Sequence, residues 1–380
     1  MRPPPARLER LPQQYFTGLL ARVSAAAADG GEPLVDLGRG NPEVGPPHHV
    51  VERLVEASRS PSVHGYPPFR GLPRLRAAIA HRYAAHYGVD LDPEREVAVL
   101  PGTKTALVEA ALVTAERGTA LLLPDPGYPD YTSGAALAGA DIAPLPLDPA
   151  HGWAPDFDAA PRNGVAAVYL NYPSNPCAVC APADTFGNAV EYAARTGAAV
   201  VHDFAYGDLL FDGRRPESFL AEPGAREVGV ELFSMSKSYG MAGWRLGFVV
   251  GNAELVERIN LLQDHTRAGV FAAVQEAAIA ALEGPEDSVV ARTETYQRRR
   301  DRVLVALEGT AVGPIRCEGT FYVWIRLPES TNAERLLVGQ RVAVAPGEGF
   351  GSLGASWVRL SLAVSDEQLE LGLSRLRAAL

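Results

Sequence analysis

The chain has 380 residues, 35 Lys and Arg against 45 Asp and Glu, and a formal charge of −10. That length suits one large domain with a smaller companion, and the acidic balance argues against nucleic acid or an anionic membrane as partner, while leaving room for a local arginine cluster that holds a small anion. No apolar run approaches the roughly 20 residues that span a bilayer, and Met1-Arg-Pro-Pro-Pro lacks a signal-peptide core, so the expected compartment is the cytoplasm. Cys177, Cys180 and Cys317 form no disulfide framework. The Cys177 and Cys180 pair has neither a second pair nor the His spacing of a zinc site, so no metal is expected.

Apolar positions at helical spacing over residues 8–28, ended by Asp29-Gly-Gly, predict a helical N-terminal arm. Leu34 to Leu37 read as a short strand running into Gly38, Arg39 and Gly40, where a backbone without side chains lets a ligand come close. Tyr66 reads as a loop aromatic, and Pro73 fits the first turn of a helix carried by Leu75 to Tyr87. Val97 to Leu100, then Gly102-Thr103-Lys104 and a helix, form a strand–turn–helix that aims backbone N–H groups at an anion, without the spacing of a Walker loop.

A strand at Ala120 to Leu123 is followed by a Pro-Gly turn and Tyr128. A strand at Ala166 to Leu170 runs out at Asn171 and Asn175, a helix covers Thr185 to Thr196, and a strand at Ala199 to His202 runs out at Asp203 and Tyr206. Short apolar strands alternating with helices predict an α/β fold with a mostly parallel, doubly wound sheet. Ligands of such sheets sit at the carboxyl ends of the strands, where these polar residues fall. Further on come an apolar run at Leu246 to Val250, helices at Leu255 to His265 and Val289 to Leu307, strands at Thr320 to Leu327 and Arg341 to Val344, and Arg359 inside Trp357-Val-Arg-Leu-Ser. The expected division is an arm and the start of a small domain over 1–45, a large domain over 46–280 and a small α+β domain over 281–380.

The chain has two lysines, Lys104 and Lys237; every other basic residue apart from histidine is arginine. A guanidinium stays protonated and does not condense with a carbonyl, whereas a desolvated lysine loses its proton and forms a Schiff base. Lys237 lies between two apolar runs, in Ser234-Met-Ser-Lys-Ser-Tyr-Gly-Met-Ala-Gly-Trp-Arg-Leu-Gly247. This stretch resembles the cofactor-lysine motif of class I/II aminotransferases, the pyridoxal-phosphate (PLP) enzymes of fold type I, and further motifs match in order along most of the chain.

The resemblance implies a roster of roles. Lys237 would form the Schiff base with pyridoxal 5'-phosphate and shuttle the proton. Asp203 would face the pyridine nitrogen, Asn175 and Tyr206 the ring oxygen, and Tyr128 the ring face. Gly102, Thr103, Lys104 (mainly through its backbone), Ser234 and Arg245 would hold the phosphate. Tyr66 would reach the phosphate of a neighbouring subunit, implying a homodimer with shared sites. Gly40 and Arg359 would take the substrate carboxylate.

Two departures stand out. Cys177-Ala178 replaces Thr-Gly after Asn175-Pro176, and Arg39 occupies a position that is often apolar or small in the family. Arg39 and Arg267, the latter expected from the partner chain, each read either as the reader of a second substrate carboxylate or as half of a structural pair with Asp or Glu. The expected activity is transfer of an amino group between an L-amino acid and a 2-oxo acid. The same cofactor residues also serve elimination, cyclisation or carbon–carbon bond formation, for example on S-adenosylmethionine. A transcription regulator with an aminotransferase-like domain would need a DNA-binding domain ahead of the arm, where the sequence has too few residues.

Overall fold

The computed structural model describes residues 3–380. Its first part holds α1 (Ala6–Glu9), α2 (Tyr15–Ala28), β1 (Val35–Asp36), α3 (His48–Ser58) and α4 (Pro73–Tyr87). The middle alternates strand and helix: β2 (Val97–Leu100), α5 (Thr103–Thr114), β3 (Ala120–Asp125), α6 (Tyr131–Ala138), β4 (Asp141–Asp148), β5 (Ala154–Pro155), β6 (Val165–Leu170), α7 (Thr185–Thr196) and β7 (Ala199–Asp203). It continues with α8 (Ala225–Val228), β8 (Gly229–Ser234), the single turn α9 (Met235–Ser238) and β9 (Gly247–Gly251). The last part holds α10 (Ala253–Thr266), α11 (Ala272–Glu283), α12 (Asp287–Leu307), β10 (Tyr322–Arg326), α13 (Ala333–Gln340), β11 (Val342–Ala343), β12 (Ala345–Pro346), β13 (Trp357–Ser361) and α14 (Asp366–Ala379).

The main sheet has eight strands in the order β2-β9-β8-β7-β6-β3-β4-β5. Strands β4, β3, β6, β7 and β8 are parallel, and β9 runs antiparallel to both of its neighbours. Successive side chains of a strand face opposite sides, so each strand feeds two cores. Val97 and Val99 pack with Ile79 and Ala278 on one face, and Ala98 and Leu100 pack with Leu107 and Ile259 on the other. Helices therefore cover both faces, which is why these strands read as continuous apolar runs.

A smaller sheet, β10-β13-β12, is antiparallel. Beside it β1 pairs in parallel with β11, and Val35 and Leu37 share a core with Leu336, Val342, Leu369 and Leu373. This pairing brings the residues after β1 from the beginning of the chain to the C-terminal sheet.

The structure departs from the sequence reading in several places. The helix expected over 8–28 is two helices separated by residues 10–14, where Pro12 cannot continue a helix. The strand expected over 341–344 is only Val342–Ala343, because Arg341 turns left-handed (φ 56°) at the end of α13, and the next strand, Ala345–Pro346, joins the other sheet. Strand β4 was not expected because Pro144 and Pro146 interrupt it, a pattern that demotes a strand reading. Among the described residues no helix is long and apolar enough to cross a membrane.

Candidate active site

A cavity of about 330 Å³ opens at the carboxyl ends of the central strands, at the lower end of the roughly 300–1,000 Å³ usual for ligand sites. Every site residue named from the sequence lines it except Gly102, Tyr66 and Arg267.

One end is built for an anion. Gly102, after β2, is left-handed (φ 89°) and starts α5 without a side-chain cap, leaving the first N–H groups of that helix unpaired and its positive end facing Thr103 and Lys104. A side chain at 102 would require the Arg245 guanidinium to move, and the positive φ favours glycine there. Arg245 is itself left-handed (φ 55°) and donates to the Ala242 carbonyl at 2.8 Å. Ser234 ends β8, and its hydroxyl accepts from the Ser236 N–H at 3.2 Å. Ser236 lines the cavity too, although the sequence reading gave it no role.

In the middle lies Lys237, on the turn after β8. Burial pushes its amine below the ordinary lysine value, with Arg359 and Arg245 acting in the same direction and Tyr322 and Asp203 opposing. Its Nζ stands 5.1 Å from the centre of the Phe321 ring and 5.8 Å from that of Tyr206. Asp203, at the end of β7, is buried, and its carboxylate accepts from the Tyr131 hydroxyl at 2.9 Å and the Ala205 N–H at 3.3 Å. Burial raises its pKa, and the Tyr131 bond works against that rise.

Asn171 donates to the Asp203 carbonyl at 2.7 Å and accepts from the Asn175 N–H at 2.7 Å, locking the loops after β6 and β7 together. The Tyr206 hydroxyl donates to that of Tyr322 at 3.4 Å. Tyr128 donates to Asp130 at 2.6 Å.

At the other end Arg359, on β13, is fully buried. One terminal nitrogen donates to Asn175 Oδ1 at 2.8 Å and the other to the Gly38 carbonyl at 3.2 Å, while Nε has no protein partner among the described residues. The guanidinium sits 3.8 Å from the centre of the Tyr322 ring and 5.3 Å from that of Phe16. A side chain at Gly40 would run into the Tyr322 hydroxyl. Phe16, Leu19, Leu20 and Val23 of α2 supply an apolar wall.

Arg39 is exposed at the cavity edge. Arg267 stands outside the lining of its own chain's cavity and pairs with Glu109 of α5. Tyr66 is 86% exposed and away from the cavity of its own chain.

Tyr131, Asn171 and Tyr322 went unrecognised in the sequence. Tyr131 and Asn171 lie inside stretches that drew notice, yet which side chain turns toward Asp203 is not a property of spacing. Tyr322 sits in an ordinary apolar strand with no local signal.

A buried amine depressed by desolvation, a buried carboxylate across the cavity, unpaired helix N–H groups flanked by an arginine, and a buried guanidinium with a spare nitrogen fit pyridoxal phosphate and an amino acid together. Set at the strand ends of a doubly wound sheet, they define a PLP-dependent enzyme of fold type I.

The comparisons narrow the class. The sequence matches the family described as "Aminotransferase class I and II" over residues 32–376, and the chain belongs to that family: it is a PLP-dependent aminotransferase. It is 42% identical to the L-glutamine--4-(methylsulfanyl)-2-oxobutanoate aminotransferase of Bacillus subtilis, over 96% of this chain and 93% of that protein. It is 39% identical to an LL-diaminopimelate aminotransferase of Dehalococcoides mccartyi, over 97% of each. A substrate-bound structure of BacF from Bacillus subtilis superposes with a TM-score of 0.94 at 36% identity, over 100% of this chain and 98% of that one. These relatives support amino-group transfer over the elimination and cyclisation alternative.

Proposed function

We propose that the enzyme moves the amino group of an L-amino acid with one carboxylate and an uncharged side chain to a 2-oxo acid, in sites shared between two copies of the chain. The observation that carries this reading is Arg359: Asn175 and Gly38 hold it in one orientation, its Nε is free, and the wall beside it is apolar. A planar, always-charged fork suits a single carboxylate.

When bound, pyridoxal phosphate supplies an electron sink for the pair left on the substrate α-carbon once its proton departs. Lys237 would anchor the cofactor between turnovers, and its Nζ, whose pKa burial lowers, would accept the substrate α-proton and hold it for return to the cofactor. Asp203, oriented by Tyr131, keeps the ring nitrogen protonated. A carboxylate 4 Å from that cation is worth at most ~4 kcal/mol at an effective dielectric of 20, or about three pKa units. Tyr206 and Asn175 hold the ring oxygen, and Tyr128 offers its face. The first turn of α5, Ser234 and Arg245 hold the phosphate.

A second reading rests on Arg39, which is exposed at the same cavity with no ion pair among the described residues and could take an acidic side chain. The relative that acts, by name, on L-glutamine supports the neutral reading, and the relative named for LL-diaminopimelate, a diacid, supports the second. The test is the visible absorption of the purified enzyme, titrated with single amino acids and then a 2-oxo acid. A neutral donor is expected to bleach the band and the oxo acid to restore it, with Arg39→Ala changing kcat/KM for that donor less than about threefold, the scale of an exposed charge. Bleaching by aspartate or glutamate alone, lost in Arg39→Ala, would install the second reading.

The shared site is supported by one surface patch. Tyr66, Phe69 and Phe271 are exposed, His64 stacks on Phe271 at 6.1 Å, and Gly269 packs against residues 67–69, so these rings project together. Exposed apolar groupings of this kind mark contact surfaces. Mixing Lys237→Ala and Tyr66→Ala protomers should recover about a quarter of wild-type activity, because half of randomly paired dimers then contain one intact site. If Tyr66 serves its own chain, mixing adds nothing. The three cysteines are free, which suits a reducing compartment such as the cytoplasm.

A further inference from the structure

Asp130 has no place in the roster above, and it does not line the cavity. It occupies the residue that opens α6, where a carboxylate ordinarily caps the first N–H groups. Its side chain makes no such cap. Instead, although only 6% exposed, it gathers three donors from three separate segments. Oδ1 accepts from Gln14 Nε2 at 2.8 Å. Oδ2 accepts from the Tyr128 hydroxyl at 2.6 Å and pairs with Lys104 Nζ at 2.8 Å. One oxygen thus serves the N-terminal arm, and the other serves the aromatic ring and the anion-binding turn.

The arm is also held by the Tyr15 hydroxyl, which donates to the Pro346 carbonyl at 2.7 Å, and by Phe16, which packs on the Tyr128 ring at 6.1 Å, yet little of α2 itself is buried. Only Leu19 and Val23 of the 14 residues of α2 are buried, and a cavity of about 750 Å³ lies between α2 and the loops after β3. Elements with few buried contacts depend on their polar tethers. Gln14 is well placed to be one: its Oε1 accepts from Thr17 N–H at 2.9 Å and caps α2, which leaves its amide N–H for Asp130. The helix so capped carries Phe16, Leu19, Leu20 and Val23 into the substrate cavity.

We propose that Asp130 is a positioning residue that couples the docking of α2 over the substrate to the plane of the Tyr128 ring. The inference rests on the stacking role proposed for Tyr128. Because one carboxylate joins both, loosening the arm tilts the ring, and a displaced ring weakens the hold on the arm. Pairing with Asp130 also commits the Lys104 ammonium, so the phosphate end keeps that residue's backbone N–H and not its free charge.

The experiment uses the holoenzyme and two variants, Asp130→Asn and Gln14→Leu. Three quantities are read: KM and kcat for the preferred donor, visible circular dichroism of the bound cofactor, and hydrogen exchange of the α2 amides. Each variant should raise KM about tenfold with kcat within about threefold, reduce the dichroic band and speed α2 exchange, and the double variant should fall clearly short of the sum of the two, since they share the Gln14–Asp130 contact.

Gln14 does not line the substrate cavity, but it also caps α2; Gln14→Glu keeps the capping acceptor and loses the amide donor to Asp130, so a dichroic change shared by Gln14→Leu and Gln14→Glu reports the Asp130 contact and not the lost cap. Additive effects, or Gln14→Leu with wild-type KM and dichroism, would overturn the proposal, and this arm decides even if Asp130→Asn fails to fold. Tyr128→Leu separates the two claims. If it leaves the dichroism unchanged, the stacking reading falls and the coupling with it. If it changes the band while Gln14→Leu does not, only the coupling falls.

Discussion

Replacing Lys237 by alanine should abolish turnover, lowering kcat by roughly 10⁴-fold or more, since a positioned acid–base group alone contributes about 10²–10⁴-fold and the variant also loses the covalent anchor. The structure gives no substitute. Among the described residues the only other lysine is Lys104, which lines the same cavity, but its ammonium is paired with Asp130 at 2.8 Å. A protonated, paired amine is a poor nucleophile. Lys237→Arg should be equally inactive, because a guanidinium stays charged and does not condense with a carbonyl, whereas burial lowers the pKa of the Lys237 amine. The check is twofold: steady-state turnover, and mass spectrometry after borohydride reduction, which should find the cofactor on residue 237 in the wild type and on no residue in the alanine variant. Normal turnover in Lys237→Ala would end the proposed mechanism.

The second large effect is expected at Arg359. Arg359→Leu removes the carboxylate fork and leaves Asn175 Oδ1 and the Gly38 carbonyl without their donor inside a dry site. Truncating one partner of a buried charged contact costs about 2–5 kcal/mol, which corresponds to a fall of roughly 30- to 4,000-fold in kcat/KM. Arg359→Lys should recover little of it, since a point charge cannot bind Asn175, Gly38 and a carboxylate at once. A control separates loss of recognition from general damage: the wild type should prefer an amino acid to the amine that lacks its carboxyl group, and Arg359→Leu should lose that preference. A variant that kept the preference would remove Arg359 from the substrate site.

Much of the cofactor end is legible in the sequence for a local reason. Asn175, Asp203, Ser234 and Lys237 follow strands, and a strand that stops at polar residues announces both the β-element and the ligand edge of a parallel sheet. Gly102 is legible because a strand, a tight turn and a helix N-terminus follow one another there, while its approach to Arg245 is seen only in the folded chain. The substrate end was harder. Tyr322 meets Tyr206 across 116 positions of chain, and no spacing rule reaches that far.

The arginines show the limit most directly. Arg39 and Arg267 have the same standing in the sequence, as charges in segments expected to border the site. The folded chain separates them, leaving Arg39 at the cavity edge and turning Arg267 onto Glu109. The partner of a long side chain depends on how α5 and the end of α10 pack, which is a matter of three-dimensional contact.

The sequence by itself determined the fold class and the family, and pointed to Lys237 as the reactive lysine, because periodicity, turn chemistry and the order of motifs are read along the chain. Tertiary structure alone decided which polar groups converge: Tyr131 on Asp203, Asn175 and Gly38 on Arg359, and Gln14, Lys104 and Tyr128 on one carboxylate. A hydrogen bond holds only within a few tenths of an ångström and a narrow range of angles. Side chains brought together from distant segments meet that requirement only after the cores on both faces of the sheet have packed.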